Sequence, residues 1–218
     1  MDWTEQFDGY CERVDFTYWS EPVNALTNAA FIVAALIMAY RTRGHLPSQL
    51  LCLILFAIGT GSYLFHTHAT AWASLSDVAP IGLYILTYLF LVNFHIVGWP
   101  VWASALGTAA FLPYAAVMVP LLSLHPFLGI SNFYWTVPIL LIVYAALLRR
   151  KHPATARGFV IGAAILITSI TLRSIDMQVC DAFPLGTHFL WHILNGLMLG
   201  YMIHVYHAHV LAGGSGER

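Results

Sequence analysis

Two histidines one helical turn apart, in Thr187-His188-Phe189-Leu190-Trp191-His192, are the side chains of this 218-residue sequence best suited to hold a metal. On a helix an i,i+4 pair projects both imidazoles from one face, about 6 Å apart at Cβ. That geometry suits two ligands of one zinc ion. Asn195 continues the same face one turn on. Alone, the pair reads equally as a polar stripe packed inside a bundle through hydrogen bonds. A second segment, Gly59-Thr60-Gly61-Ser62-Tyr63-Leu64-Phe65-His66, places Ser62 and His66 at i,i+4 as well. Its glycines would admit a neighbouring helix closely, and a serine there can also bond back to its own helix. Asp77 follows in Leu75-Ser76-Asp77-Val78, where a first-turn acid would favour the helix dipole. The other histidines fall in loops (His45, His125, His152) or near helix ends (His95, His204, His207, His209). His204 and His207 are one turn apart and could hold a metal, but read better as interfacial groups.

These residues need elements to position them, and composition says which kind. The chain is 59% hydrophobic and 9% charged, with a mean hydropathy of +0.73. Soluble domains carry about 25% charge, so the chain cannot cover a globule in water and reads as an integral membrane protein. A net charge of −1 excludes a nucleic-acid platform, and three cysteines exclude a disulfide-rich scaffold. The opening Met1-Asp2-Trp3-Thr4-Glu5 is acidic where a signal peptide is basic. A spanning helix needs about 20 apolar residues. Seven such stretches run roughly over 22–41, 48–67, 77–96, 99–122, 132–149, 157–175 and 187–209. The expected fold is all-α: one seven-helix transmembrane domain over 1–211, with an acidic outer tail at 1–20 and a flexible tail at 212–218. Pro113, Pro120 and Pro138 predict kinks in the fourth and fifth helices.

Arg41, Arg43, Arg149, Arg150, Lys151 and Arg157 cluster in two loops that seven spans place on one side, with the C-terminus. Basic loops mark the cytoplasm. The opposite side carries the acids, with Arg13 and Arg173 as its basic residues. The N-terminus is therefore expected outside and the C-terminus inside. Ser62, His66, Asp77, His188 and His192 then share one depth near the outer face. Three histidines with an open fourth position form a layout for catalytic zinc, and a nearby aspartate could orient a ligand or handle a proton. Glu21, Asn24 and Asn28 give the first helix a polar face, and Asp8, Glu12 and Asp15 precede it. Such hard oxygens suit calcium; a solvated acidic tail explains them equally.

At these residues the chain resembles the alkaline ceramidase family, within the CREST superfamily of seven-span membrane hydrolases. The resemblance rests on Tyr10-Cys11-Glu12-Arg13, Glu21-Pro22-Val23-Asn24-Ala25-Leu26-Thr27-Asn28, the Gly59–His66 segment, Asp77, Arg173-Ser174-Ile175-Asp176 with Cys180, and His188-Phe189-Leu190-Trp191-His192. The short loops and the Tyr-Cys-Glu-Arg wording look like the bacterial branch. That implies an intramembrane amidase cleaving ceramide, or a related N-acyl lipid, to a sphingoid base and a fatty acid, in a bacterial plasma membrane with its site toward the outer face. Zinc would be held by His66, His188 and His192, with Ser62 stabilising the oxyanion and Asp77 handling the proton. A family calcium site maps to Glu12 and Glu21, with Asn24 and with Asp8 or Asp15 substituting where Val14 stands in place of an asparagine ligand. Cys11 and Cys180 both fall on the outer, oxidising side and are expected to pair, leaving Cys52 as a buried thiol. Two other readings stay open. One is a related lipid hydrolase acting on an ester or a phospholipid. The other is a receptor like the progestin and adiponectin receptors, whose cores share the serine, aspartate and histidine pattern.

Overall fold

The computed structural model describes residues 2–7 and 9–214; Met1, Asp8 and residues 215–218 lie outside the described set. The described residues are helical apart from turns and one isolated bridge between Gln6 and Thr70. We number the long helices α1 (Pro22–Arg41), α2 (Leu46–His68), α3 (Ala71–Val97), α4 (Val101–Ser123), α5 (Asn132–Leu148), α6 (Pro153–Ile175) and α7 (His188–Gly214). Five of these segments, α1 to α4 and α6 with its 3-10 extension to Gln178, are long and apolar enough to cross a membrane. The chain is a multi-pass membrane protein by that measure. The 17-residue α5 is apolar but shorter.

Prolines set several boundaries. Pro22, Pro47 and Pro153 stand in the first turns of α1, α2 and α6, where a missing N–H costs nothing and the fixed φ is already helical. α4 is interrupted at Ala110, because the Pro113 ring collides with the carbonyl four residues earlier. α2 stops at Ala69, a non-glycine residue at φ 47° whose N–H bonds the Phe65 carbonyl. After one extended residue, Thr70, α3 begins at Ala71. That start corrects the expectation of a helix opening near Asp77. The aspartate lies well inside α3, so the first-turn dipole no longer explains it. The last helix continues to Gly214, past the start of the tail expected at 212.

Neighbours in sequence pack as neighbours in space from α1 to α7, and α7 closes the ring against α1 and α2. Leu53, Leu36 and Leu147 are more than half exposed on the outside, while Glu21, Asn24, Asn28, Ser62 and Asp176 are buried. This inversion is what a hydrocarbon solvent requires, since lipid-facing polar groups would be costly. Small residues bring the site-bearing helices together. A Cβ on Gly196 would meet the Ala30 backbone at 2.8 Å, at the α7–α1 crossing. A Cβ on Gly61 would overlap the Ser76 carbonyl of α3. Gly61→Ala should therefore push α3 away and cost about 1–3 kcal/mol, as overpacking does. A thermal midpoint in detergent equal to that of wild type would contradict this close crossing.

Candidate metal centre

The N-terminal tail lies over one end of the bundle and is tied down at several points. Phe7 N–H donates to the Ala69 carbonyl at 2.8 Å and Ala71 N–H to the Glu5 carbonyl at 2.9 Å. The structure joins Cys11 to Cys180 across a Cα separation of 5.3 Å, linking the tail to the α6–α7 connection; Cys52 is a buried free thiol. Asp176, buried just beyond α6, accepts from Cys11 N–H at 3.0 Å on one oxygen. Its other oxygen accepts from Thr187 N–H at 2.6 Å and His188 N–H at 2.9 Å. It satisfies two of the orphan donors at the start of α7 and so fixes where His188 begins.

Beneath this tail, His66 of α2 meets His188 and His192 of α7. Ring centroids are 5.1 Å apart for His66–His188, 4.7 Å for His66–His192 and 4.6 Å for His188–His192. One ligand atom from each lies within 4.8 Å of the others, and among the described residues this is the group of three such side chains within reach of a common ion. All three are at most 2% exposed. Two of their nitrogens, His188 Nδ1 and His192 Nε2, are buried without a hydrogen-bond partner. Nitrogen donors that converge and lack protein partners fit a zinc ion.

The groups behind the ligands point the same way. His66 Nδ1 bonds Glu21 Oε2 at 2.6 Å, and His192 Nδ1 lies 3.0 Å from Thr27 Oγ1. The Thr27 hydroxyl donates its proton to the Val23 carbonyl at 2.7 Å, so it must accept from His192 Nδ1–H. That assigns the tautomer and leaves the His192 Nε2 lone pair free. Glu21 is further held by Arg13 Nε and by Asn24 Nδ2, the latter at 3.0 Å. Burial opposes the Glu21 charge, but the bonds to His66 and Asn24 and the Arg13 charge prevail and hold its carboxyl below the usual range. Tyr10 stacks on His188 with centroids 3.8 Å apart.

Ser62 and Asp77 face each other beside the triad, next to the close approach of Gly61 to the Ser76 carbonyl. Both line a narrow cavity of about 50 Å³ with Trp191, Tyr134 and Asn195. This cavity shares Ile85, Val137, Met198 and Leu199 with a second, wholly apolar one of about 70 Å³ that runs on between α3, α5 and α7. In the other direction Asp77 and Tyr134 also line a pocket of mixed polar and apolar character under the tail, with Tyr10, Phe65 and Arg173. Asp77 thus stands where this mixed pocket meets a wholly apolar slot.

Among the described residues, the acids expected to bind calcium are committed to other partners, and calcium is not supported. Glu12 gives one oxygen to Val23 N–H and the other to Asn24 N–H, each at 2.7 Å, and burial pushes its carboxyl up. Glu21 and Asn24 are committed to Arg13, His66 and each other. Asp15 turns to the Thr17 hydroxyl at 2.6 Å; Asp8 lies outside the described residues. The positive charge among these acids is Arg13, which also donates to the His66 carbonyl at 2.9 Å. The calcium expectation counted acids and overlooked the guanidinium in their midst. At the opposite end His207 Nδ1 is 3.3 Å from Ser48 Oγ and His204 is exposed, so the pair gathers no third ligand among the described residues.

The sequence reading did not single out Thr27, Tyr10, Arg13 or Asp176 for these positions. Thr27 adjoins the Glu21, Asn24, Asn28 stripe of α1; the other three stood in segments that carry the family resemblance, but their contacts depend on the tail's path. No curated protein matches the chain. The sequence model of the Ceramidase family matches residues 4–216, nearly the whole length, and with the buried triad in place the chain belongs to the Ceramidase family.

Proposed function

We propose that the protein is a zinc-dependent intramembrane amidase that hydrolyses ceramide, or a related N-acyl lipid, to an amine and a free fatty acid. The observation that carries this reading is the His66, His188, His192 triad with two of its imidazoles oriented from behind by Glu21 and Thr27. We place it in a seven-helix bundle with the N-terminal tail outside and the C-terminus in the cytoplasm, in a bacterial plasma membrane. The basic loops at Arg41–Arg43 and Arg149–Lys151 support that orientation, which puts the triad near the outer face.

Zinc held by the three histidines would supply Lewis acidity and a water acidic enough to ionise near neutral pH. The remaining work falls to the chain. Asp77 accepts the proton of the attacking water as the C–O bond forms, and returns it to the nitrogen as the C–N bond breaks. The Ser62 hydroxyl donates to the carbonyl oxygen as that oxygen becomes negative. The cavities bounded by Ile85, Met198 and Leu199 receive a hydrocarbon chain directly from the bilayer, and the tail pinned by Cys11 and Arg13 screens the centre from bulk water.

Removing one oxyanion donor costs about 100- to 1,000-fold in turnover. Ser62→Ala should show that loss while retaining zinc, read by metal analysis and initial rates on one preparation. The deciding experiment is zinc content of the purified protein together with hydrolysis of paired N-acyl and O-acyl lipids. The expected result is one zinc per chain and release of fatty acid from the amides. Cleavage of esters alone would assign the chain to a sister lipid hydrolase, and zinc binding without hydrolysis would favour a receptor.

A further inference from the structure

The slot that leads away from Asp77 ends on a ring. Three tyrosines line its apolar part, and each has its hydroxyl committed elsewhere. Tyr84 donates to the Leu199 carbonyl at 2.9 Å, Tyr88 to the Met202 carbonyl at 3.1 Å and Tyr144 to Asn93 Oδ1 at 2.6 Å. They therefore present ring surface to the slot rather than polar atoms, and the Tyr84 and Tyr88 rings stack nearly parallel with centroids 6.0 Å apart. Met198 and Met202 line the same space, and their unbranched side chains adapt to an occupant. Such walls suit one polymethylene chain and offer a headgroup nothing to bond. The pocket on the other side of Asp77, with Arg173 and Tyr10, has the mixed character that the amine side of the substrate needs. The apolar slot is left to the acyl chain.

Tyr144 stands where that slot would otherwise continue. It lines the apolar cavity of about 70 Å³ and also a further one of about 380 Å³, bounded by Ile96, Val97, Trp99, Leu147 and Leu148. The bond to Asn93, itself fully buried, fixes the ring across the gap between α5 and α3. Tyr134, which lines the site with Asp77, lies ten residues before Tyr144 on α5, so helix geometry sets the ring roughly 15 Å from the reacting end. One leaflet of the hydrocarbon core is about 15 Å deep. We infer that Tyr144 is the floor of the acyl site and restricts hydrolysis to acyl chains of about one leaflet's length, excluding very long ones. This rests on the amidase reading and specifies the acyl half of its substrate.

The test is a chain-length series on one sphingoid base, running from N-palmitoyl to N-lignoceroyl sphingosine, in mixed micelles at fixed mole fraction. Substrate tails and slot are both hydrocarbon there, so discrimination comes from fit rather than from transfer out of water. Overpacking a filled site costs about 5- to 150-fold, so wild type should favour the palmitoyl over the lignoceroyl member by that ratio in kcat/KM. In Tyr144→Ala, which opens the cavity beyond, the ratio should fall to about 1 with zinc content retained. Tyr144→Phe, which keeps the ring and loses the bond to Asn93, should keep the wild-type ratio. Equal kcat/KM for the two acyl chains in wild type would overturn the inference, and needs no variant to fold. So would a zinc-loaded Tyr144→Ala that keeps the wild-type ratio, or one that changes the preference for sphingoid-base length instead. If palmitoyl ceramide is cleaved and the ratio in wild type is 1, only this inference fails. If zinc-loaded protein cleaves no amide at all, the amidase reading fails with it.

Discussion

His192→Ala should lose the metal and the activity together. The residue is fully buried, its Nδ1 is fixed by Thr27, and its Nε2 has no hydrogen-bond partner. Changes to groups behind a ligand already cost about 10- to 100-fold in metal affinity, so loss of a ligand exceeds about 100-fold. Zinc content should fall from one per chain to a small fraction after dialysis, and amide hydrolysis should fall to background. The outcome differs in kind from Ser62→Ala, which keeps the ion and loses rate. Full activity in a metal-free His66→Ala, His188→Ala double variant would refute the mechanism outright.

The second large effect is expected at Glu21, the junction between the tail and the centre. Its carboxylate meets Arg13 and His66 with side chains only 1–2% exposed. Breaking a buried pair by removing one partner costs about 3–5 kcal/mol, because the other charge stays buried. Glu21→Ala should lower the thermal midpoint on the order of 10 °C for a chain of this size. It should also weaken zinc by about 10- to 100-fold, since His66 Nδ1 loses its acceptor. The two effects separate in Arg13→Met, Glu21→Leu, where no charge is stranded. That variant should recover much of the midpoint and none of the zinc affinity. Recovery of both would show that Glu21 matters to packing alone.

Much of this architecture was legible because it depends on local spacing. An i,i+4 pair on α7 and another on α2 face inward from one end of their helices, so the grouping of His66, His188 and His192 could be anticipated once the helices were counted. The errors arose where tertiary contacts decide. Asp77 was expected in the first turn of a helix over 77–96, yet α3 begins at Ala71, directly after the turn at Ala69 and Thr70. The tail's acids were read as a cation site by their number. Nothing in linear order said that Glu12 would cap the first turn of α1, or that Arg13 would fold back onto Glu21 and the end of α2. Arg173 stood in a segment that carries the resemblance, but its surroundings were not legible, because the aromatic rings around it come from the tail, α5 and α7.

The ligands sit far apart along the chain, and this bears on biosynthesis. His66 and its clasp of Glu21 and Arg13 lie in the first third of the sequence, while His188 and His192 open the last helix. Ribosomes add about 5–20 residues per second, so the interval between these ligands lasts roughly 6–25 s. During that time the nascent chain offers one of the three triad ligands, too few to complete the site. On the zinc-amidase proposal, metal loading would be an end-stage event in maturation, and a chain stalled before α7 would reach the bilayer hydrolytically inert.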